Sequence, residues 1–331
     1  RLKLVSIFMN IKFFIGPMSK NVVDSIIEFQ KSTNHKIGLI PSRRQIEFNG
    51  GYCNNWTTKQ FSIYAKDIKL KRDHSGPGQG YIDDDGYESL KFDSKYMDII
   101  HIDPWKKYPS YNNGLKWTIE MIKFCVNINP KIEFEVGTEQ SIRSFNASEL
   151  DKLVLDLKHN LNNLEFNQIK YLVIQSGTSL SSTCNTGIYD QEKLVSMIKV
   201  AKKHNLKSKE HNGDYIPEKL IREKMKLGLD SINIAPEFGL IETQTYLDEI
   251  KSSKILNRLW EICYNSNRWK KWVNKNFDPL NEKVQLIKIC GHYVLSSKEF
   301  QNEVKSHFPN IDGKIKSRIK SKLNSLFNLV I

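Results

Sequence analysis

The feature that most constrains this chain is an alternation that stops and restarts eight times. Short runs place apolar residues on one parity and polar or ionisable residues on the other, and each then breaks into a turn followed by a helical or irregular stretch. The runs are Phe13 to Ser19, Lys36 to Gln45, Ile68 to Asp73, Met97 to Asp103, Lys131 to Gly137, Lys170 to Ser176, Leu206 to His211 and Asp230 to Ala235. Amphipathic segments such as Val22 to Gln30, Leu115 to Val126 and Gln191 to His204 lie between them, with apolar residues at three- and four-residue spacing. Strand and helix in alternation over about 230 residues predict an α/β fold, a (β/α)8 TIM barrel. The competing open sheet would carry a glycine-rich phosphate turn after its first strand, and Ile15-Gly16-Pro17-Met18-Ser19 does not supply one.

The polar parity is the informative one. Lys69, Lys71 and Asp73 oppose Ile68 and Leu70; His101 and Asp103 oppose Ile100 and Ile102; Glu133 and Glu135 oppose Ile132 and Phe134. Lys207, Lys209 and His211 share a face, and Asn233 lies between Ile232 and Ile234. If the apolar parity meets the helices, the barrel interior is ionic, and buried charges need partners or a metal. For the deeper residues a structural network of lysines and carboxylates is expected. Residues at the C-terminal strand ends, Asp73, His74, Asp103, Glu139, His211 and Asn233, stand where barrels place their chemistry. His74 and His211, with a carboxylate from Glu139 or Asp103, fit a nitrogen and oxygen site for a divalent metal such as zinc. Gly137 lies between Glu135 and Glu139, so the two share a parity only if the chain stays extended there.

Composition narrows the setting. Of 331 residues, 39% are hydrophobic and 26% charged, as in a soluble globular chain, and no apolar run is long enough to cross a bilayer. The basic, apolar start is interrupted by Asn10 and Lys12 and has no small-residue cleavage site, so no targeting segment is expected and Met9 is a candidate start. Five scattered cysteines without a C-x-x-C pair read as free thiols in a reducing, cytoplasmic setting. The net charge of +13 is concentrated towards the C-terminus, with Lys314 to Lys322 its densest run. Such a run is more often a solvated helix face than a nucleic-acid surface. The eightfold rhythm ends near Gly239, which divides the chain into a barrel over 9–240 and a helical extension over 241–331.

In several stretches the chain resembles the non-catalytic-subunit family of class II tagatose-bisphosphate aldolases and, more distantly, the zinc-dependent class II aldolases. The stretches are RRQIEFNGGYCNNWTTKQF (Arg43 to Phe61), RDHSGP (Arg72 to Pro77), IHIDPW (Ile100 to Trp105), EVGTEQ (Glu135 to Gln140) and GHYVLS (Gly291 to Ser296). The resemblance implies a metal-dependent lyase acting on a sugar phosphate or related keto-sugar. In it Asp73 carries a proton, with Asp103 as a second catalytic carboxylate, and His74 and His211 hold the ion. The third histidine of the catalytic aldolases has no assigned counterpart, so Glu139 replaces it or it is absent. A phosphate is expected on turn amides and basic side chains, with Arg43, Arg44, Arg143, Asn212 and Gly213 as candidates and Asn233 as a further substrate contact. The resemblance also admits a silent subunit supporting a separate aldolase chain, or a homo-oligomer; a metal-dependent sugar isomerase or epimerase on the same barrel is a further alternative. Nucleic-acid and membrane partners are not expected.

Overall fold

The computed structural model describes residues 10 to 329; the start of the N-terminal run weighed as a targeting segment, with Met9, lies outside them. Eight parallel strands close into a barrel, each hydrogen-bonded to the next in sequence and the last to the first. They are β1 (Phe13–Ile15), β2 (Ile37–Leu39), β3 (Lys69–Ser75), β4 (Ile99–Ile102), β5 (Glu133–Val136), β6 (Ile169–Ile174), β7 (Lys207–Glu210) and β8 (Ser231–Ile234). The fold is the TIM barrel that the alternating runs predict, with one strand in each run.

The apolar parity faces outward. Phe13, Ile15, Ile100, Ile102, Phe134 and Ile232 join the main core between barrel and helices. Inside, a second and much smaller apolar cluster contains Phe14, Ile40, Ile99 and Tyr171. Gly38 makes room for it, because a Cβ there would lie 2.2 Å from the Phe14 ring. Above this plug the interior is ionic. Lys71 Nζ meets Glu135 at 2.5 Å and Lys209 Nζ lies 3.5 Å from the same carboxylate, all three fully buried. Lys209 also sits 3.2 Å over the Phe14 ring. The outermost pair, Lys69 and Glu133 at 3.0 Å, remains partly in solvent.

After β8 the helix Pro236–Glu249 runs across position 240, and four further α-helices follow, ending in Ile311–Asn328. The last buries Ile315, Ile319, Leu323 and Leu326 in the main core, and its Phe327 packs against Phe13 at 5.3 Å and Phe29 at 5.7 Å. The basic run on this helix is an intramolecular seam. Lys316 and Lys320 pair with Glu28, Arg318 with Asp248, Lys314 with Glu249 and Lys322 with Glu237. Its charge therefore answers acids on the barrel's own helices. Among the described residues no helix is long and apolar enough to cross a membrane. The five cysteines are free; Cys184 is exposed and the other four are buried.

Candidate active site

The C-terminal strand ends surround an open cavity of about 330 Å³, with Asp73, His74, His211 and Asn233 in its wall. Regular alternation would send Asp73 and His74 to opposite faces of β3. Instead the pairing of β3 with β4 slips between Arg72 and Ser75, and His74 adopts a left-handed φ of 43°. Such a bulge re-aims side chains, here bringing two consecutive residues into one cavity, and a non-glycine residue held there is a mark of functional sites.

His74, His101 and His211 form one group with Asp73, the nearest nitrogen and oxygen atoms all lying within 4.8 Å of one another. Each ring is fixed from behind. His74 Nδ1 donates to Asp103 Oδ2 at 2.6 Å, which leaves Nε2 facing Asp73 Oδ2 at 3.7 Å. His211 Nε2 donates to Glu135 Oε1 at 2.7 Å, leaving Nδ1 3.9 Å from Asp73 Oδ1. His101 Nε2 lies 2.9 Å from the Gly137 carbonyl, which can only accept, so this nitrogen carries the hydrogen and Nδ1 has the lone pair. That lone pair receives a long 3.3 Å contact from the His74 backbone N–H, which any ligand to Nδ1 would displace. Three imidazoles, each tied at one nitrogen and presenting the other, match the way proteins prepare metal-binding histidines.

The electrostatics agree with a site built for a cation. Burial alone would lower the pKa of His74, but Asp73, Asp103 and Glu139 outweigh it and raise it to about 10. The imidazole thus holds a proton where the surrounding carboxylates ask for positive charge. Burial does prevail at His101, whose pKa falls to about 3 despite Glu135 and Asp103, so that ring is neutral. Asp73 is ionised: burial opposes this, but His74, His211 and Lys71 hold its pKa at about 2. Asn233 Nδ2 donates to its Oδ1 at 3.3 Å.

Three sequence expectations meet a different geometry. A third histidine stands in the group, on β4: His101, which the sequence places on the polar parity without a role in the site, is fully buried and points at the same centre. Glu139 stands at the edge, 3.9 Å from His74 Nε2 and accepting from Asn212 Nδ2 at 2.8 Å. The chain turns at Gly137, φ 99°, yet Glu139 still lines the cavity. Asp103 is buried behind His74 rather than facing the cavity.

The anion-binding candidates divide as well. Arg43 is buried and its charge is matched by Glu47 at 2.6 Å and Asp84 at 2.6 Å, with Gly76 O accepting a further bond. Arg143 pairs with Glu149 at 2.5 Å over the Phe145 ring. Gly213 is packed beneath β8, where a Cβ would meet Ile232 at 2.1 Å. Arg44 and Asn212 do reach the cavity. Sequence reasoning missed Lys106, Lys271 and Asp214, which also line it. Their signal was weak, since single lysines are common and Lys271 belongs to the extension.

No protein-family profile matches the chain, and no curated protein matches its sequence. Solved structures do match. A probable tagatose 6 phosphate kinase from Sinorhizobium meliloti 1021 superposes with a TM-score of 0.71 at 13% identity, covering 97% of this chain and 100% of that one. The fructuronate-tagaturonate epimerase UxaE from Cohnella laeviribosi gives 0.64 at 10% identity, covering 97% and 81%. The YdjI aldolase from Escherichia coli K12 gives 0.55 at 11% identity, covering 97% and 90%. At such identities the likeness is one of architecture: the chain shares its closed (β/α)8 barrel with enzymes named for sugar chemistry.

Proposed function

We propose that this chain is a metal-dependent lyase of the class II aldolase type, acting on a sugar phosphate or a related keto-sugar. The observation that carries the reading is the convergence of His74, His101 and His211, each anchored at its far nitrogen, on a centre beside the ionised Asp73. The donor set fits zinc, with three imidazole nitrogens and a position left for a substrate oxygen. A bound divalent ion would polarise the substrate carbonyl.

The remaining work falls to the chain's own residues. Asp73, oriented by Asn233, takes the proton of the substrate hydroxyl as the carbon-carbon bond breaks, and the reverse transfer serves condensation. Asp103 and Glu135 hold the rings of His74 and His211 in their working orientation. An epimerase or isomerase reading would use Asp73 to take a proton from a substrate carbon in place of the hydroxyl. In its favour, Asp214 lines the same cavity with its pKa raised to about 8, first by burial and then by Glu237, so it can hold a second proton. Product analysis separates the readings, because only the lyase changes carbon count. The position of His101 beside His74 and His211 favours the lyase over a supporting subunit.

Metal analysis tests the proposal. Protein purified without chelator is expected to retain about one divalent ion per chain. Loss of an outer partner of a metal site typically weakens binding about 10- to 100-fold, so His101→Ala should weaken it by at least the upper figure. Glu139→Gln should retain the ion. No ion, and no binding when zinc is titrated in, overturns the reading.

A further inference from the structure

The helical extension reaches the cavity through Lys271, Trp272, His292 and Tyr293. Lys271 joins two other cations there: Arg44 from the loop after β2 and Lys106 from the loop after β4. Their partners are neutral. Arg44 Nε donates to the Gly80 carbonyl at 3.2 Å and Lys106 Nζ to the Gly78 carbonyl at 2.8 Å, both in the turn that follows β3. Lys271 Nζ lies 4.3 Å from the Trp272 ring and 5.5 Å from that of Tyr293. The nearby acids are engaged elsewhere, Asp83 with Lys107 and Asp84 with Arg43. Three positive side chains from three segments thus share one cavity, and among the described residues none of them forms an ion pair with the carboxylates that also line it, Asp73, Glu139 and Asp214.

We propose that Arg44, Lys106 and Lys271 form a subsite for the anionic end of the substrate, a phosphate or carboxylate group, and that the helical extension supplies the cation that completes it. The subsite flanks β3, the strand that carries Asp73 and His74, and lies across the barrel from the turn after β7. Carbonyl bonds fix two of the stems, so less side-chain freedom is lost on binding. The pKa of Lys271 is lowered to about 8, by burial first and then by repulsion from Arg44, Lys106 and Arg268. Lys271 is exposed, and an incoming anion would relieve the repulsion that Arg44, Lys106 and Arg268 exert on it. Trp272 and Tyr293 add flat apolar surface beside it, and Trp272 Nε1 donates to the Tyr293 hydroxyl at 3.2 Å, bracing the two. The extension is thereby a specificity-determining wall of the site.

This inference rests on the proposed function only for the anion's being part of the substrate, and its test is separable. Inorganic phosphate and glycolate are titrated calorimetrically into the metal-loaded wild type, Lys271→Met, Arg44→Gln/Lys271→Met and the control Lys270→Met. Saturable binding to wild type is expected, weakened at least about tenfold by Lys271→Met, lost in the double variant and unchanged in the control. Metal content should stay constant throughout. Preference for phosphate identifies a phosphorylated substrate, and preference for glycolate a sugar acid. If neither anion binds, or if both variants bind as tightly as wild type, the subsite is refuted while the metal site stands. If no metal is held but the anion response follows the variants, the subsite stands and the lyase reading falls.

Discussion

Asp73→Asn is expected to leave the barrel folded and the ion on its three histidines, while turnover falls at least about a hundredfold, the lower end of what a positioned acid-base group supplies. The amide keeps the shape of the carboxylate and a partner for Asn233, but it cannot accept the substrate's proton. Structural damage should be slight, because no lysine forms an ion pair with Asp73: Lys71 and Lys209 pair with Glu135. A screen of phosphorylated ketoses supplies the substrate, after which turnover, metal content and melting temperature are measured on one preparation. Unchanged turnover ends the catalytic assignment. Joint loss of ion and activity would recast Asp73 as a ligand.

Glu135→Gln is expected to be the most destabilising conservative change in the barrel. Glu135 is fully buried, and two buried ammonium groups and His211 Nε2 face it. Burial opposes its ionisation, yet Lys209, Lys71 and His211 hold its pKa well below the usual carboxylate range. Removing one partner of a buried charge network leaves the others uncompensated, at roughly 3–5 kcal/mol. The matching change on the same strand, Glu133→Gln, should cost about 1 kcal/mol or less, since its pair with Lys69 is about one-third exposed. Urea unfolding of the two variants measures the contrast, and equal losses would refute the buried network as a structural element.

The sign of the pH dependence follows from Lys209. Its folded pKa is pushed well below the ordinary lysine value, by burial first and with help from Lys71. Between that folded value and the ordinary one near 10.5, the unfolded chain binds more protons, so stability rises with pH. Losing the negative charge of Glu135 depresses the lysine further, so the deficit of Glu135→Gln should shrink as pH rises through the wild-type folded value of Lys209. A deficit independent of pH would mean that Lys209 does not change its protonation when the charge of Glu135 is lost.

The eight barrel strands and the ionic interior were legible because both are consequences of parity, and parity survives in a linear sequence. Local signals that were overlooked were legible too: Thr57 and Gln60 form a capping box that opens the unread helix Thr58–Tyr64. What parity could not give was the slip in β3, because a bulge breaks the rule by which sequence reports side-chain direction. Nor could it separate His101 from a core histidine, or Arg43 from a free cation, since the difference lies in Gly137, Glu47 and Asp84, which the fold brings to them. The sequence by itself determined a barrel with an ionic interior and a strand ending in Asp73 and His74. Only the tertiary structure decided that three histidines meet, that the basic helix is spent on the barrel's own acids, and that Lys271 enters the cavity from the extension. Those outcomes depend on distances between residues far apart in sequence, which closure of the barrel and packing of the last helices set.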